Sequence, residues 1–294
     1  MRKRTYIFII VIITGIFTQC TNVTQETVMT ENEADPIAIN LDENEIVAYT
    51  LPSPFQVSTM VKLLDIKYSG NVIRDVSNNT SYTSDNYRAL NLGMNIVDFG
   101  YVTIYDKFQP AILYMKNIEK LMQELGLQSE EDKLIIKSFE SNFNNKDSLE
   151  HIIKRHQNKI EYYFSVIKER KVGLLILCGF YVEGLYLSSN IYNEQLKDRT
   201  ISVFMKKNMN QLFLQQQIFL SNLIELLEIY GDENTDGLIN ELTLLNDQFG
   251  SMHISYKQNP KSGKISSVRL KTKKLQEVNA LVSDIRQKII SETI

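Results

Sequence analysis

The stretch Gly93-Met94-Asn95-Ile96-Val97-Asp98-Phe99-Gly100-Tyr101 is apolar apart from a single acid, and it has a glycine near each end. Asp98 and Tyr101 follow helical spacing and share one helix face with Tyr105, whereas the two glycines share another face. A face of glycines lets a neighbouring helix approach closely, because no Cβ atom separates the two backbones. The stretch therefore predicts a buried helix that carries one carboxylate into a helical core.

A second stretch of the same kind is Gly179-Phe180-Tyr181-Val182-Glu183-Gly184-Leu185-Tyr186, which is also apolar, contains glycine and has one acid. Each stretch is followed by an amphipathic segment that ends at a glycine, and residues 114–126 align without gaps with residues 219–231. Two explanations fit this similarity. Either two related helical hairpins pack about a pseudo-twofold axis, or two amphipathic helices with a glycine stop are alike by chance.

Asp98 and Glu183 are the main candidates for function, because a carboxylate within an apolar helix must find a hydrogen-bond donor or take up a proton. In a structural interpretation, tyrosine hydroxyls such as those of Tyr101 and Tyr186 satisfy the two acids in the core. In a functional interpretation, both acids face a central cleft and bind a polar or cationic ligand. The candidate ligand-binding residues are then Asp98, Tyr101, Tyr105, Glu183 and Tyr186.

From residue 51 onward, apolar residues recur at spacings of three and four, and no proline interrupts residues 111–259. This pattern predicts an all-α, multi-helix bundle of about nine helices. They are expected at about 53–68, 85–105, 109–125, 129–143, 148–167, 172–196, 203–230, 236–249 and 267–291.

The apolar run 172–187 has some features of a membrane span, but it contains Glu183 and three glycines. A helix buried within the bundle is therefore expected there. Cys178 lies in the same run without a basic residue or histidine beside it in sequence, so it is expected to be a buried and inert thiol.

Residues 1–19 have the features of a signal peptide, with three basic residues at 2–4 and an apolar run from Tyr6 to Phe17. Cys20 follows directly, as in a bacterial lipobox, where the cysteine becomes the first mature residue and carries acyl chains. Such boxes favour a small residue before the cysteine, whereas Gln19 stands here, so a signal followed by an incidental cysteine is the alternative. The sequence predicts an exported protein of the cell envelope, anchored to a membrane through Cys20 and facing the periplasm or the cell surface.

Residues 20–50 are then an acidic, solvated linker and residues 51–294 a helical domain. The chain has 294 residues with 32 Lys plus Arg and 35 Asp plus Glu, and removal of the leader takes away three basic residues and no acid. The remaining 29 basic and 35 acidic residues give a net charge of −6. This charge argues against nucleic acid as a partner.

The segment 232–243 resembles the start of a calcium loop, with oxygen ligands at Asp232, Asn234 and Asp236 and a glycine at the sixth position. The twelfth position is Thr243, where the pattern needs a bidentate acid. An acidic turn that ends one helix and caps the next explains the same residues. Calcium at Asp232, Asn234 and Asp236 is therefore one of two interpretations.

Motifs for catalysis are missing from the sequence: it has no glycine-rich phosphate loop and no Gly-x-Ser-x-Gly elbow. His151 and His156 are five residues apart, a spacing that does not place a zinc pair on one helix face. The sequence predicts a non-enzymatic protein that binds a protein partner or a small ligand. The alternatives are a calcium-dependent helical module and an enzyme that uses Asp98 and Glu183 as paired acids.

Several segments carry a resemblance to a known family: residues 90–93 through 98–105, residues 182–187, Pro52-Ser53-Pro54 and Ile285-Arg286. Together they resemble a family of uncharacterised all-helical lipoproteins of Bacteroidetes, over most of the chain after residue 50. The resemblance implies export, a lipid anchor and an all-helical fold. It implies no catalytic activity and assigns no binding residues.

Overall fold

The computed structural model describes residues 66–76, 81–127, 170–197, 203–251 and 272–294, with four short strands and isolated positions between 137 and 148. The described body is all-helical, as the sequence predicted. Its helices are α1 Asp85–Ile104, α2 Phe108–Glu124, α3 Arg170–Lys197, α4 Val203–Tyr230, α5 Asp236–Gly250 and α6 Thr272–Ser291. The helices expected at 53–68, 129–143 and 148–167 lie largely outside the described residues, so a total of about nine stays a prediction.

Two short antiparallel hairpins accompany the helices, formed by β1 Ile37–Asn40 with β2 Ile46–Tyr49 and by β3 Ser255–Gln258 with β4 Ile265–Arg269. The first hairpin falls in the segment interpreted as a linker. The second corrects the predicted start of the last helix, which begins at Thr272 and not near residue 267. The reason is local, because this segment contains the β-branched residues Ile265 and Val268, a residue type that favours strands.

Helices α1 and α3 form the centre of the helical body and share its most extensive contact. Helix α2 packs against α1, and α4 packs against α3. Helix α6 contacts both central helices, while α5 connects α4 with α6. Side chains that point from α1 and α3 towards α6 are consequently removed from water on every side.

Two glycines allow α1 and α3 to touch through their backbones. A Cβ atom at Gly93 would lie 1.9 Å from the Ile176 carbonyl oxygen, and one at Gly179 would lie 1.8 Å from the Leu90 carbonyl oxygen. No side chain fits in such a space, so the close approach expected at Gly93 is confirmed. Asp98 and Glu183 each follow their glycine by about one turn, and the crossing brings them to the same part of the core.

The ends of α1 and α2 follow from local chemistry. The Ser84 side chain accepts a hydrogen bond from the Tyr87 N–H and caps α1. Gly126 ends α2 with a φ of 67°, a left-handed conformation that costs glycine little, and the Leu127 N–H then bonds the Met122 carbonyl at 2.8 Å.

Helix α3 is the one described helix long and apolar enough, by length and composition, to cross a membrane, and most of its side chains are buried inside the protein. This burial agrees with the core helix that the sequence predicted. Cys178 is a fully buried free thiol, also as predicted, and burial raises its pKa.

By its internal contacts the chain divides into Met1–Glu33 and Ala34–Ile294, and all of the described residues belong to the second unit. Cys20 and the predicted signal peptide lie outside the described residues. The boundaries expected after residues 19 and 50 therefore stay predictions.

Candidate functional site

The two acids singled out from the sequence meet in the core. Asp98 on α1 and Glu183 on α3 are both fully buried, and their carboxyl groups lie within hydrogen-bonding reach of each other. Burial of one ionised carboxylate is costly, and burial of two adjacent ones adds repulsion to that cost. The surrounding donors therefore decide what charge each acid carries.

Glu183 has a dedicated counter-ion in Arg286 on α6. Arg286 Nε donates to Glu183 Oε2 at 2.6 Å, and Nη2 donates to Oε1 at 2.9 Å, so both carboxylate oxygens are used. The guanidinium also lies 4.2 Å from the centre of the Tyr186 ring, in a cation–π contact. Burial lowers the pKa of Arg286, but the Glu183 carboxylate outweighs this effect and the net pKa is raised. The result is a bidentate ion pair between Glu183 and Arg286, supported by the Tyr186 ring.

A second arginine, Arg74, reaches the same region from the loop before α1. Its Nη1 donates to the Tyr82 hydroxyl at 3.1 Å and to Asn91 Oδ1 at 2.5 Å, and its Nη2 donates to Asn95 Oδ1 at 2.7 Å. The Tyr114 hydroxyl on α2 donates to the Arg74 carbonyl and fixes the backbone there. Within the described residues, the side chains that accept from the Arg74 guanidinium are all neutral groups.

Asp98 has no comparable partner. Neither of its oxygens receives a hydrogen bond from a donor in the described part of the chain. The Nδ2 donor of Asn95, three residues earlier on α1, is also unsatisfied there. Burial raises the pKa of Asp98, and the adjacent Glu183 carboxylate raises it further, against a smaller lowering by Arg286 and Arg74. Native proteins rarely leave buried polar groups unpaired, so this pair of groups requires an explanation.

The tyrosines proposed as donors have other partners. The Tyr101 hydroxyl donates to the Ser69 carbonyl at 3.3 Å and accepts from the Ser69 N–H at 3.1 Å. The Tyr105 hydroxyl donates to the Ile66 carbonyl. With Tyr68 the two rings form an aromatic cluster, in which the Tyr101 and Tyr105 ring centres are 5.2 Å apart. These two residues fasten the 66–69 loop to α1, and Tyr186 supports Arg286.

A line of polar side chains runs from the ion pair along the α3–α6 contact. We call Tyr186, Ser189, Asn190 and Asn279 the polar seam. Ser189 Oγ donates to Asn279 Oδ1 at 2.7 Å, and the Asn190 amide donates to the Tyr186 carbonyl at 2.8 Å. Tyr186, Asn190 and Asn279 are partly exposed, and Tyr186 contacts Arg286, so one end of the polar seam lies at the ion pair.

The segment proposed as a calcium loop is a capped turn in this structure. Asp232 accepts from the Asn234 N–H at 3.0 Å and from Lys171 Nζ at 2.5 Å, and it exchanges capping hydrogen bonds with Thr235. Helix α5 begins at Asp236, so the fifth and sixth positions of the proposed loop are already helical. A calcium loop keeps these positions outside its exit helix. The geometry favours the capped-turn interpretation, and calcium binding stays a prediction.

Metal sites of other kinds are not apparent in the described ranges, which contain no group of three or more His, Cys, Asp or Glu side chains able to hold an ion. His151, His156 and His253 lie outside those ranges.

Sequence reasoning missed Arg74, Asn95 and Tyr114 as members of the site. Arg74 follows a short 3-10 turn. Outside a helix or strand, the sequence pattern does not indicate which way a side chain points. Asn95 could have been found, because it precedes Asp98 by three residues and shares its helix face. Arg286 was part of the family resemblance, but its role as the counter-ion of Glu183 depends on α6 packing against α3.

Comparison of the chain with protein family models, with curated proteins and with solved structures finds no match.

Proposed function

We propose that the protein is a lipid-anchored binding protein of the cell envelope, without enzymatic activity, which binds a small ligand that carries one positive charge. Export and anchoring are inferred from the leader and Cys20. The resemblance to helical lipoproteins of Bacteroidetes supports the same inference. Binding is inferred from the buried site.

One observation carries the binding proposal: Asp98 is a fully buried carboxyl group that no donor in the described residues satisfies. A site built only for stability would pair this group, as Arg286 pairs Glu183. An ammonium group supplies both the hydrogen bonds and the positive charge that Asp98 lacks. The ligand reaches it along the polar seam, past Tyr186.

An enzymatic use of the two acids is less favoured by the same geometry. A general base must be aimed at the substrate, whereas the Glu183 carboxylate is held towards Arg286 by a hydrogen bond to each of its oxygens. A bidentate ion pair of this kind orients and supports the neighbouring group. We assign Glu183 and Arg286 to positioning within the binding site.

The test is the melting temperature of the full-length protein in detergent, with methylammonium chloride as the probe and sodium chloride at equal ionic strength as the reference. A ligand that binds only the native state raises the melting temperature. We expect methylammonium to raise it in the wild type and in Asp284→Asn, whose carboxylate is exposed on α6, but not in Asp98→Asn. An equal rise in Asp98→Asn, or none in the wild type, contradicts the proposal.

The same assay addresses the calcium-dependent module, the alternative function. Millimolar calcium chloride replaces methylammonium, and Asp232→Ala combined with Asp236→Ala replaces Asp98→Asn. A rise in the wild type that this double variant loses would favour the calcium module over binding at Asp98.

A further inference from the structure

We infer that Asp98 and Glu183 share a single proton at neutral pH, so that the centre of the bundle is a proton-binding site. This inference rests on the geometry of the acid pair and is independent of any ligand. It concerns the charge state of the protein alone, before a ligand binds. A cationic ligand that binds at Asp98 takes the place of this proton, which is then released to solvent.

The contact between the two acids is the first argument. Two carboxylates offer only acceptors to each other, so a pair within hydrogen-bonding reach is favourable only when one of them carries a proton. With the proton present, the pair becomes a short, charge-assisted O–H···O hydrogen bond. Without it, two negative charges face each other in a site from which water is excluded.

The position of the donors assigns the proton to Asp98. Both oxygens of Glu183 accept hydrogen bonds from Arg286, so this carboxyl group acts as an acceptor at both of its oxygens. Asp98 receives no hydrogen bond from a donor in the described part of the chain. A neutral Asp98 can therefore donate to Glu183, and donating is the only role in a hydrogen bond between the two acids that Glu183 cannot take while it accepts from Arg286.

The other charged and titratable groups around Asp98 do not remove the need for this proton. They lie on α2, α3, α6 and the loop before α1, and they are Tyr114, Glu183, Arg286, Arg74 and Tyr68. Arg286 is ion-paired with Glu183, and in the described ranges the side chains that accept from Arg74 are those of Tyr82, Asn91 and Asn95. Both tyrosines are neutral, because burial raises their pKa values. The raised pKa of Asp98 agrees with this distribution of charge.

A proton held only in the folded state makes stability depend on pH. The folded-state pKa of Asp98 lies above that of the unfolded chain, so the folded protein binds one proton more in the interval between them. The stabilisation is complete below the unfolded-state pKa and is lost as pH rises through the folded-state pKa. Within that interval the unfolding equilibrium constant increases by about tenfold for each pH unit.

The experiment is urea unfolding of the full-length protein in detergent, from about pH 5 to about pH 9, the range in which most proteins lack other large carboxylate titrations. The wild type should lose stability with rising pH. Asp98→Asn, whose neutral amide replaces the protonated acid, should lose most of this pH dependence and become more stable than the wild type at the alkaline end. Asp284→Asn, the matched exposed carboxylate, should keep the slope of the wild type.

A second measurement needs no variant to fold. Infrared spectroscopy of the wild type at neutral pH should show the C=O stretch of a protonated carboxyl group shielded from deuterium exchange. A wild type with neither this band nor a falling stability with pH would overturn the inference. Because no ligand is added, failure of methylammonium to bind leaves the proton result unaffected, and the two proposals are tested separately.

Discussion

At the scale of single residues, Asp98 and Glu183 have different surroundings, although each is the single acid of an apolar, glycine-containing stretch of sequence. Glu183 is ion-paired through both oxygens, whereas among the described residues Asp98 has within reach only another acid, Glu183, and the Tyr114 hydroxyl, which donates to the Arg74 carbonyl. Amide substitution should therefore have different effects at the two positions. At Asp98 it replaces a group that the inferred proton already makes neutral, so it relieves repulsion only at a pH above the folded-state pKa of Asp98. At Glu183 it leaves Arg286 as a largely buried cation without its partner.

We expect Glu183→Gln to reduce the free energy of unfolding by about 3 to 5 kcal/mol, the usual cost of breaking a buried ion pair from one side. The Arg286 side chain is only 12% exposed, so water cannot replace the lost carboxylate. The measurement is urea unfolding at neutral pH. Glu241→Gln is the control, because it removes one acid from the more exposed pair with Lys288 and should change stability little. Equal effects at Glu183 and Glu241 would contradict the importance of the buried pair.

Only part of this site can be predicted from the sequence. The two acids could be found because an ionisable residue inside an apolar helical pattern is unusual in itself. Their unequal pairing could not be found, because it depends on which of two arginines, 212 positions apart in the printed sequence, reaches which carboxylate. Long-range pairing of this kind leaves no trace in local periodicity.

At the scale of helices, the predicted boundaries of α1 to α5 lie within about two residues of those observed, because caps, proline and glycine are local signals. The start of α6 differs by five residues, since the competing strand Ile265–Arg269 takes the segment before it. The identity of the helix that packs against a glycine face could not be predicted. The glycines only indicated that some helix approaches there.

The α1–α3 crossing should be the part of the fold least tolerant of added volume. Gly93→Ala and Gly179→Ala would each place a methyl group less than 2 Å from a backbone carbonyl oxygen, so the two helices must separate. We expect each to cost about 3 kcal/mol, the upper part of the range for overpacked cores. Gly250→Ala is the control, because the nearest atom to its Cβ would be Gln217 Nε2 at 3.8 Å. Thermal unfolding of the three variants compares them, and equal melting temperatures would contradict the close backbone contact.

At the scale of the whole chain, the proposed function requires that the protein be attached to a membrane, and the acidic segment after the leader does not favour such attachment. The chain after the leader has a net charge of −6, and residues 21–50 contain seven acids and no Lys or Arg. An acidic segment of this kind is repelled by anionic lipid headgroups and offers no electrostatic anchor. We therefore expect acyl chains at Cys20 to hold the protein at a membrane after the leader is removed, and stable anchoring takes more than one chain.

We expect the wild type, produced in a bacterial host, to partition into the detergent phase and to incorporate labelled fatty acid, and Cys20→Ala to do neither. The matched control is Cys178→Ala, which removes the other cysteine of the chain. That thiol is fully buried in α3, so its loss should leave the label unchanged. Phase separation and gel autoradiography of the three proteins give the measurement. If Cys20→Ala is labelled as strongly as the wild type, Cys20 is not the acylated residue and the proposed anchor is contradicted. If the label is lost in Cys20→Ala and kept in Cys178→Ala, Cys20 is the acylated residue.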